Sequence, residues 1–172
     1  GKKDGSFAPE EDMTRLQFTL LLVRSLGLPL AEYEGDFSDI NADQWYSTYI
    51  QAAVDARIIT GKLDGTFDPN GKVTRAQAAV MLKRAMDSNF LNYDFAQLDD
   101  SKKLADFKDV TRIKSGFAEA EKAIEAIYQA GIVSGKNDGT YDPYGFTKRA
   151  QMSKMLAEFL VSAKLLNNTF EN

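Results

Sequence analysis

The sequence predicts an all-α fold built from three helix–loop–helix repeats. A nine-residue loop pattern occurs three times, at residues 1–9, 61–69 and 135–143. Each copy is followed by a signal for the start of a helix, and apolar residues recur at helical spacing between the copies. A period of this length is typical of supersecondary units that stack on one another.

Bulk composition is that of a globular protein and lowers the expectation of catalysis. The 172 residues are 44% hydrophobic and 27% charged, which allows a sizeable core. Cysteine and histidine are absent, so the usual general base and the commonest metal ligands are missing. We therefore predict no enzyme activity, no cofactor and no metal site.

The charge balance also argues against two classes of partner. The net charge of −4 disfavours binding to nucleic acid or to an acidic membrane surface. No apolar run approaches the roughly 20 residues of a membrane span. An anionic ligand would have to be held locally, by individual arginine or lysine side chains.

Residues 1–30 contain only the second half of a first repeat, namely the loop and a helix at about 14–26. Because the chain starts inside a repeat, we expect a fragment whose first helix lies upstream. The second repeat, 31–90, has a predicted helix at 45–56, with apolar residues at helical spacing, and a second helix that begins near Thr74.

The third repeat, 91–172, has a longer lead-in segment, and a short extra helix is expected within 91–104. Its two main helices are predicted at 117–130 and 148–166. A shared signature precedes the first helix of both full repeats, Phe37-x-Asp39 and Phe107-x-Asp109. We expect the two aspartates to act as helix caps or turn formers.

Each loop combines a tight turn with an aromatic residue at one fixed offset. The Asp-Gly pair predicts the turn, because glycine accepts a positive φ at no steric cost. The aromatic residues, which are Phe7, Phe67 and Tyr141, are expected to fill the core beneath their turns. The following proline keeps the chain out of a helix until the next cap.

Capping signals follow two of the three loops. Thr14-x-x-Gln17 and Thr74-x-x-Gln77 fit the capping box, in which the threonine and glutamine side chains bond reciprocally to the backbone. In the third repeat Lys148 occupies the cap position. We therefore expect that helix to begin one residue early, with Thr147 as its cap.

An arginine in the first turn of each of these helices is the strongest functional signal. Arg15, Arg75 and Arg149 lie where the helix dipole disfavours a cation by roughly 0.3 to 1 kcal/mol. One interpretation is an anion receptor that combines the guanidinium with free backbone N–H groups. The other is an ion pair to an aspartate such as Asp39 or Asp109, which would staple neighbouring repeats; the residues alone somewhat favour this one.

These patterns together resemble the S-layer homology family. The resemblance rests on Phe37-x-Asp39, on Trp45, on the Gly-x-x-Asp-Gly-Thr-Phe-x-Pro loop and on Thr-Arg-Ala-Gln in place of the family's Thr-Arg-Ala-Glu. It implies three tandem repeats in a pseudo-threefold helical assembly. It also implies a secreted protein of Gram-positive bacteria that is anchored non-covalently to the cell wall or S-layer.

The implied partner is a secondary cell-wall polysaccharide, anionic and often bearing a pyruvate ketal, which binds in grooves between adjacent repeats. Other cell-surface domains are expected in the same protein. By motif match the three arginines would bind the ketal carboxylate and the loop residues would shape the groove walls. The implied ligand-binding set is Arg15, Arg75, Arg149, Gln17, Gln77, Gln151, Trp45, Gly1, Asp4, Gly5, Gly61, Asp64, Gly65, Gly135, Asp138 and Gly139.

Departures from the family pattern rank the implied sites. Trp45 either faces sugar or, as is commoner at helical spacing, lies in the core, and the third repeat has no tryptophan. Glutamine in place of glutamate removes a negative charge beside each arginine, which favours an anionic ligand over an internal ion pair. The second repeat is the most complete, so its site is expected to be the best formed.

Three alternatives remain at this stage. A calcium-binding, dockerin-like loop is disfavoured because Lys62 and Lys136 stand at ligand positions. A glycoside hydrolase would need two carboxylates about 5 to 9 Å apart beside a cleft, and no such pairing is apparent. A protein–protein scaffold would use apolar grooves, with the arginines as structural staples.

Overall fold

The computed structural model describes residues 5–91 and 93–165. These residues form six α-helices and two single-turn 3₁₀ helices, and they contain isolated bridges but no β-sheet. The all-α prediction is therefore confirmed. The α-helices are α1 (Arg15–Ser25), α2 (Ser47–Asp55), α3 (Arg75–Asp87), α4 (Val110–Lys114), α5 (Ala118–Gln129) and α6 (Arg149–Ser162), and the 3₁₀ helices are Phe95–Gln97 and Leu104–Asp106.

Helices from adjacent repeats pack against each other. α1 of the first repeat packs on α2 of the second, and α3 of the second repeat packs on α5 of the third. α6 of the third repeat returns to contact α1. The order of contacts is cyclic, so the core is continuous through all three repeats.

A ring of backbone hydrogen bonds closes the assembly at its centre. The Met13 N–H donates to the Thr147 carbonyl at 2.9 Å, the Thr147 N–H to the Val73 carbonyl at 3.0 Å, and the Val73 N–H to the Met13 carbonyl at 3.0 Å. Each of these residues lies two positions before its repeat's arginine. The ring gives the three repeats the predicted pseudo-threefold arrangement.

Burial of the loop aromatics follows the prediction in two repeats. Phe67 and Tyr141 are fully buried, whereas Phe7 is 47% exposed and the prediction is wrong there. Phe37 and Phe107 of the lead-in segments cover the two buried rings, with centroids 5.6 and 5.5 Å apart. No such segment covers Phe7 within the described residues.

The start of α6 contradicts the prediction of a shifted helix. α6 begins at Arg149 with Lys148 at its N-cap, and the Thr147 hydroxyl is buried without a hydrogen-bond partner among the described residues. The central ring already fixes the Thr147 backbone, so the helix cannot begin earlier. The Lys148 ammonium instead pairs with Asp12 of the first repeat at 2.6 Å.

Asp39 and Asp109 anchor loops through their side chains; Asp109 stands at the N-cap of α4 but makes no side-chain capping bond there. The two oxygens of Asp39 accept from the Phe67 and Asp68 N–H groups, both at 2.7 Å. Asp109 accepts from Tyr141 and Asp142 in the same way, both at 2.8 Å. The Phe-x-Asp signature therefore joins the segment before each repeat's first helix to the loop of the same repeat. The sequence predicts helix caps or turn formers at these two aspartates.

Two details of the helices differ from the sequence prediction. The expected short element in 91–104 is present as the 3₁₀ helix Phe95–Gln97, but α4 was not predicted. The third-repeat helix was predicted to reach 166, which lies outside the described residues. None of the described helices has the length and apolar character that a membrane crossing requires.

Candidate functional site

Each arginine contacts the loop of another repeat. The Arg15 Nε–H donates to the Phe67 carbonyl at 2.7 Å, and the Arg75 Nε–H donates to the Tyr141 carbonyl at 2.6 Å. Each guanidinium also lies over the ring of the same residue, at 5.1 Å for Phe67 and 4.7 Å for Tyr141. A cation over an aromatic face is stabilised by the ring quadrupole. The arginines therefore staple adjacent repeats.

The third arginine completes the cycle. The Arg149 Nε–H donates to the Phe7 carbonyl at 2.8 Å, and the guanidinium lies 5.2 Å from the Phe7 ring. Arg149 belongs to the third repeat and Phe7 to the first. All three arginines thus use one geometry, although Phe7 is the most exposed of the three rings.

The backbone N–H groups at these helix starts are occupied. In α3 the Arg75 N–H donates to the Gly145 carbonyl at 2.9 Å and the Ala76 N–H to the Pro143 carbonyl at 3.0 Å. The capping box takes the next N–H, since the Gln77 N–H donates to the Thr74 hydroxyl at 3.2 Å. The expectation of free N–H groups is therefore wrong, because loop carbonyls of the neighbouring repeat accept hydrogen bonds from them. In α1 the same three N–H groups are bonded in this way, and in α6 the first two are.

The staple differs from the one the sequence suggested. Asp39 and Asp109 are engaged with loop N–H groups, and within residues 5–91 and 93–165 no carboxylate forms an ion pair with Arg15 or Arg75. Only the Nε of each guanidinium is bonded to another described residue. The Nη nitrogens remain as donors without a partner in that part of the chain.

These two cations are also partly removed from water. Arg75 is 8% exposed, and burial lowers the pKa of Arg15, although nearby Asp68 and Asp39 raise it. A charge taken from water is costly unless an opposite charge or hydrogen bonds compensate it. Each guanidinium is thus partly buried without a direct carboxylate partner among the described residues.

A cavity of about 780 Å³ lies beside Arg15, and we name it the Arg15 groove. It is lined by Arg15 of the first repeat, by loop residues 58–64, by the α3 side chains Gln77, Val80, Met81 and Arg84, and by Phe117 and Glu119 of the third repeat. Four members of the predicted set meet the groove here. They are Arg15, Gly61, Asp64 and Gln77.

A second cavity, of about 630 Å³, is formed in the same way beside Arg75, and we name it the Arg75 groove. Its lining includes Arg75 of the second repeat and loop residues 131–138 with the α6 side chains Gln151, Lys154, Met155 and Glu158 of the third. Arg75, Gly135, Asp138 and Gln151 of the predicted set meet here. Each groove takes its arginine from one repeat and its loop from the next. A site therefore belongs to a pair of repeats, and the expectation that the second repeat alone has the best-formed site does not apply.

The loop geometry explains why the predicted glycine and aspartate occur beside each groove. Gly61 has φ +70°, and a Cβ there would overlap the Phe37 ring. The Asp64 Oδ1 accepts from the Thr66 N–H at 3.0 Å and from its hydroxyl at 2.7 Å, and these bonds lower the pKa of Asp64. Gly135 and Asp138 repeat this arrangement. These residues shape the groove wall.

The capping glutamines present donors to the grooves. The Gln77 Oε1 accepts from the Thr74 N–H at 3.0 Å, and the Gln151 Oε1 accepts from the Lys148 N–H at 3.2 Å. Fixing the oxygen on the backbone orients the amide NH₂ the other way, and this group has no hydrogen bond to another described residue. Each groove therefore combines a guanidinium with an amide donor.

A lysine of the repeated loop forms an ion pair with an aspartate of the same loop in the second and third repeats. The Lys62 ammonium pairs with Asp68, and the Lys136 ammonium pairs with Asp142 at 2.9 Å. Among the described residues no cluster of three acidic, histidine or cysteine side chains is suited to a metal. The loop thus holds its own cation, which opposes the dockerin-like interpretation.

Several predicted residues lie away from the two grooves. Trp45 is 65% exposed beside Tyr46 and Tyr49, so the core interpretation is wrong, and it lines neither groove. Gly65 and Gly139 form the turns themselves, both with positive φ. Arg149 contacts Phe7 across the interface between the third and first repeats, Gly5 has a positive φ in the first loop, and Gln17 completes the capping box of α1; none of the three lines either groove. Gly1 and Asp4 lie outside the described residues.

One part of the Arg15 groove had no signal in the sequence. The Arg84 guanidinium binds Glu119 through two hydrogen bonds of 2.6 Å and the Thr60 hydroxyl through one of 3.1 Å. Arg84 is at the end of α3 and Glu119 at the start of α5. Nothing in the spacing of two residues so far apart in the chain indicates that they meet.

The family model of the S-layer homology domain matches residues 36–79 and 106–153, a little over half of the chain. The chain is 31% identical to an endoglucanase of Bacillus sp. (strain KSM-635) over 160 residues, which are 93% of this chain and 16% of that protein. It is 31% identical to S-layer protein EA1 of Bacillus anthracis over 138 residues, 80% of this chain and 14% of that protein.

A third relative is Cell surface glycoprotein 1 of Acetivibrio thermocellus, 30% identical over 157 residues, 88% of this chain and 6% of that protein. The chain thus spans a small part of the length of each relative. The name endoglucanase refers to the whole of the first relative and is not a name for the part that this chain matches. These surface-layer and cell-surface relatives confirm the expected location at the cell surface or cell wall.

Domains of this family are non-catalytic anchoring modules of S-layer proteins and surface enzymes. The repeated loop, the arginine after it and the helix pairs occur here where the family model matches the second and third repeats. The chain belongs to the S-layer homology domain family.

Proposed function

We propose that this chain anchors its parent protein to the cell wall by binding an anionic, pyruvate-bearing wall polysaccharide in the grooves between its repeats. Arg15 and Arg75 bind the ketal carboxylate through their Nη groups, and Arg149 has the equivalent role in the third interface. Gln77 and Gln151 donate to neighbouring oxygens. Gly61, Asp64, Gly135 and Asp138 shape the walls.

One observation carries this proposal: a largely buried guanidinium with no acidic partner among the described residues faces a groove. Arg75 is 8% exposed, and its guanidinium is hydrogen-bonded to another described residue only through Nε. The two Nη groups suit the two oxygens of a carboxylate, which arginine binds in a bidentate way. The ligand carboxylate makes the direct ion pair that no described carboxylate makes with Arg75.

Stapling and ligand binding use different atoms of the same side chain. Nε and the guanidinium plane hold the neighbouring loop, whereas the Nη groups remain for the ligand. The staple also fixes the guanidinium before binding, so little side-chain entropy is lost when the ligand arrives. The two interpretations of the arginines are therefore compatible.

Substitution of the arginines tests the proposal. Arg15→Ala and Arg75→Ala together should lower binding of purified wall polysaccharide by more than about tenfold, because hydrogen bonds to a charged group contribute about 1.5–3 kcal/mol each. Binding is measured by isothermal titration calorimetry. Unchanged binding by a folded double variant would leave the arginines as staples only.

A matched control separates the ligand from the fold. Arg24→Ala removes an arginine of α1 that lies over the Tyr49 ring at 5.0 Å and lines neither groove. It should leave polysaccharide binding within about twofold of the parent, since rim charges far from a site act weakly. Circular dichroism verifies that each variant keeps its helices.

A further inference from the structure

The two grooves differ in their walls at matched positions. Relative to the repeated arginine and loop, Leu63 corresponds to Asn137 and Val80 to Lys154. All four side chains line their respective grooves. Phe117 adds another apolar side chain to the Arg15 groove alone. One groove is therefore walled by apolar groups where the other is walled by polar ones.

The apolar wall is exposed to solvent in the free protein. Leu63 is fully exposed and Phe117 is 46% exposed, while Val80 forms a base at 5% exposure. A single exposed leucine needs no explanation, but several large apolar groups around one groove indicate a binding surface. Here they surround a guanidinium that has no acidic partner among the described residues.

An ion pair between Arg84 and Glu119, which we call the clasp, holds this wall in place. Glu119, two residues after Phe117, binds Arg84 through two hydrogen bonds, and Arg84 also bonds Thr60 at the loop. The start of α5 is thereby fixed against α3 of the preceding repeat. The matched position to Arg84 in α6 is Glu158, which makes no ion pair with another described residue.

The clasp also sets the charge that a ligand meets. Because Nε and Nη2 of Arg84 are engaged by Glu119, Arg84 is neutralised and Arg15 is the cation left for an anion. In the Arg75 groove, Lys154 and Glu158 add one further charge of each sign beside Arg75. The Arg15 groove therefore presents its guanidinium beside an apolar wall, and the Arg75 groove presents its guanidinium beside a polar and charged wall.

Resting on the proposed function, we propose that the grooves select different acidic saccharide units. The Arg15 groove binds a unit that carries an apolar substituent beside its carboxylate, and Leu63, Val80 and Phe117 determine that preference. The Arg75 groove binds a hydroxyl-rich unit, with Asn137 and Lys154 meeting its polar substituents. One chain thus distinguishes two environments along an anionic polymer.

Two synthetic probes test the inference, the methyl and the phenyl glycoside of one pyruvate-ketal hexose. The Arg75→Ala/Arg149→Ala protein keeps the Arg15 groove, and the Arg15→Ala/Arg149→Ala protein keeps the Arg75 groove. By calorimetry the phenyl glycoside should bind about tenfold tighter than the methyl glycoside in the first protein, because apolar area is buried. In the second, the two probes should bind within about twofold of each other.

Exposed positions give substitutions that spare the core. Leu63→Asn with Phe117→Ala should bring the probe ratio of the Arg15 groove close to one, and Asn137→Leu should raise the ratio of the Arg75 groove. Equal ratios in both grooves, or a ratio unmoved by these changes, would overturn the inference while both probes still bind. If removing all three arginines leaves probe binding intact, the proposed function fails instead.

Discussion

The Arg15 and Arg75 grooves share the contacts at their base, which we call the floor, and differ in the side chains of their walls. In both, an arginine Nε–H donates to the carbonyl of a buried aromatic residue, and the loop beneath is held by an aspartate of the lead-in segment. The walls differ at solvent-exposed positions such as Leu63 and Asn137. The floor contacts join adjacent repeats, so a change there affects the stability of the fold, whereas exposed side chains such as Leu63 and Asn137 can differ without disturbing the core.

The floors themselves differ in one hydroxyl group. Tyr141 donates from its hydroxyl to the Arg75 carbonyl at 3.0 Å, and Phe67 has no such group for Arg15. Burial raises the pKa of Tyr141, so the hydroxyl stays protonated and remains a donor. Arg75 therefore has one hydrogen bond to the aromatic residue of the neighbouring loop that Arg15 lacks.

The largest effect on the shared floor is expected from the loop anchors. Asp39→Ala and Asp109→Ala should each lower the free energy of unfolding by about 3 kcal/mol, because two backbone N–H groups lose a charged acceptor. Chemical denaturation measures both, and similar losses would confirm that the floors are equivalent. A loss below about 0.5 kcal/mol would contradict the anchoring role.

The helix caps give a smaller contrast between repeats. Thr74→Ala removes a capping hydroxyl and should cost about 1 kcal/mol of stability. Lys148→Ala removes no cap, only a partly exposed ion pair with Asp12, and should cost about 0.5 kcal/mol or less. The same denaturation experiment compares them, and a larger loss for Lys148→Ala would reverse this ranking.

The smallest predicted effect is a pH dependence at the central interface. Hydrogen bonds from Lys148 and Lys72 hold the pKa of Asp12 below its usual value, so the folded state binds this proton less readily than the unfolded chain. The contribution to stability is present above the unfolded-state pKa of about 3.9 and is lost as the pH falls through the lower folded-state pKa.

Asp12→Asn removes that titration. Its melting temperature, relative to the parent, should be lower at neutral pH, and the gap should narrow as the pH falls below about 4. Both lysines are about half exposed, so we expect a shift of only a few degrees. A gap that stays constant down to the lowest pH at which the protein folds would contradict the role of Asp12.

Much of the fold was readable from local patterns. Helical spacing and the capping boxes at Thr14 and Thr74 place helix starts within a residue or two, because caps act through nearby backbone groups. The start of α6 was not readable, since it depends on a ring of hydrogen bonds that joins all three repeats. α4 was missed because its five residues are too few for a periodic signal.

The candidate site was predicted residue by residue, but its assembly was not. Motif matching identified Arg15, Gly61 and Gln77, yet their meeting in one groove depends on how the first repeat packs on the second. The same holds for Arg84 and Glu119, which contact across an interface. Local pattern named several residues that line the grooves, whereas tertiary packing decides which of them lie in the same groove.

The central claim is that the arginines bind the ketal carboxylate, and a double-removal cycle tests it most directly. Calorimetry compares the parent with Arg15→Ala/Arg75→Ala/Arg149→Ala, each titrated with wall polysaccharide before and after its pyruvate is removed. Both removals eliminate the same contact, so either alone should weaken binding by more than about tenfold, and the second should add less than about twofold. Two independent, multiplying losses would contradict the claim.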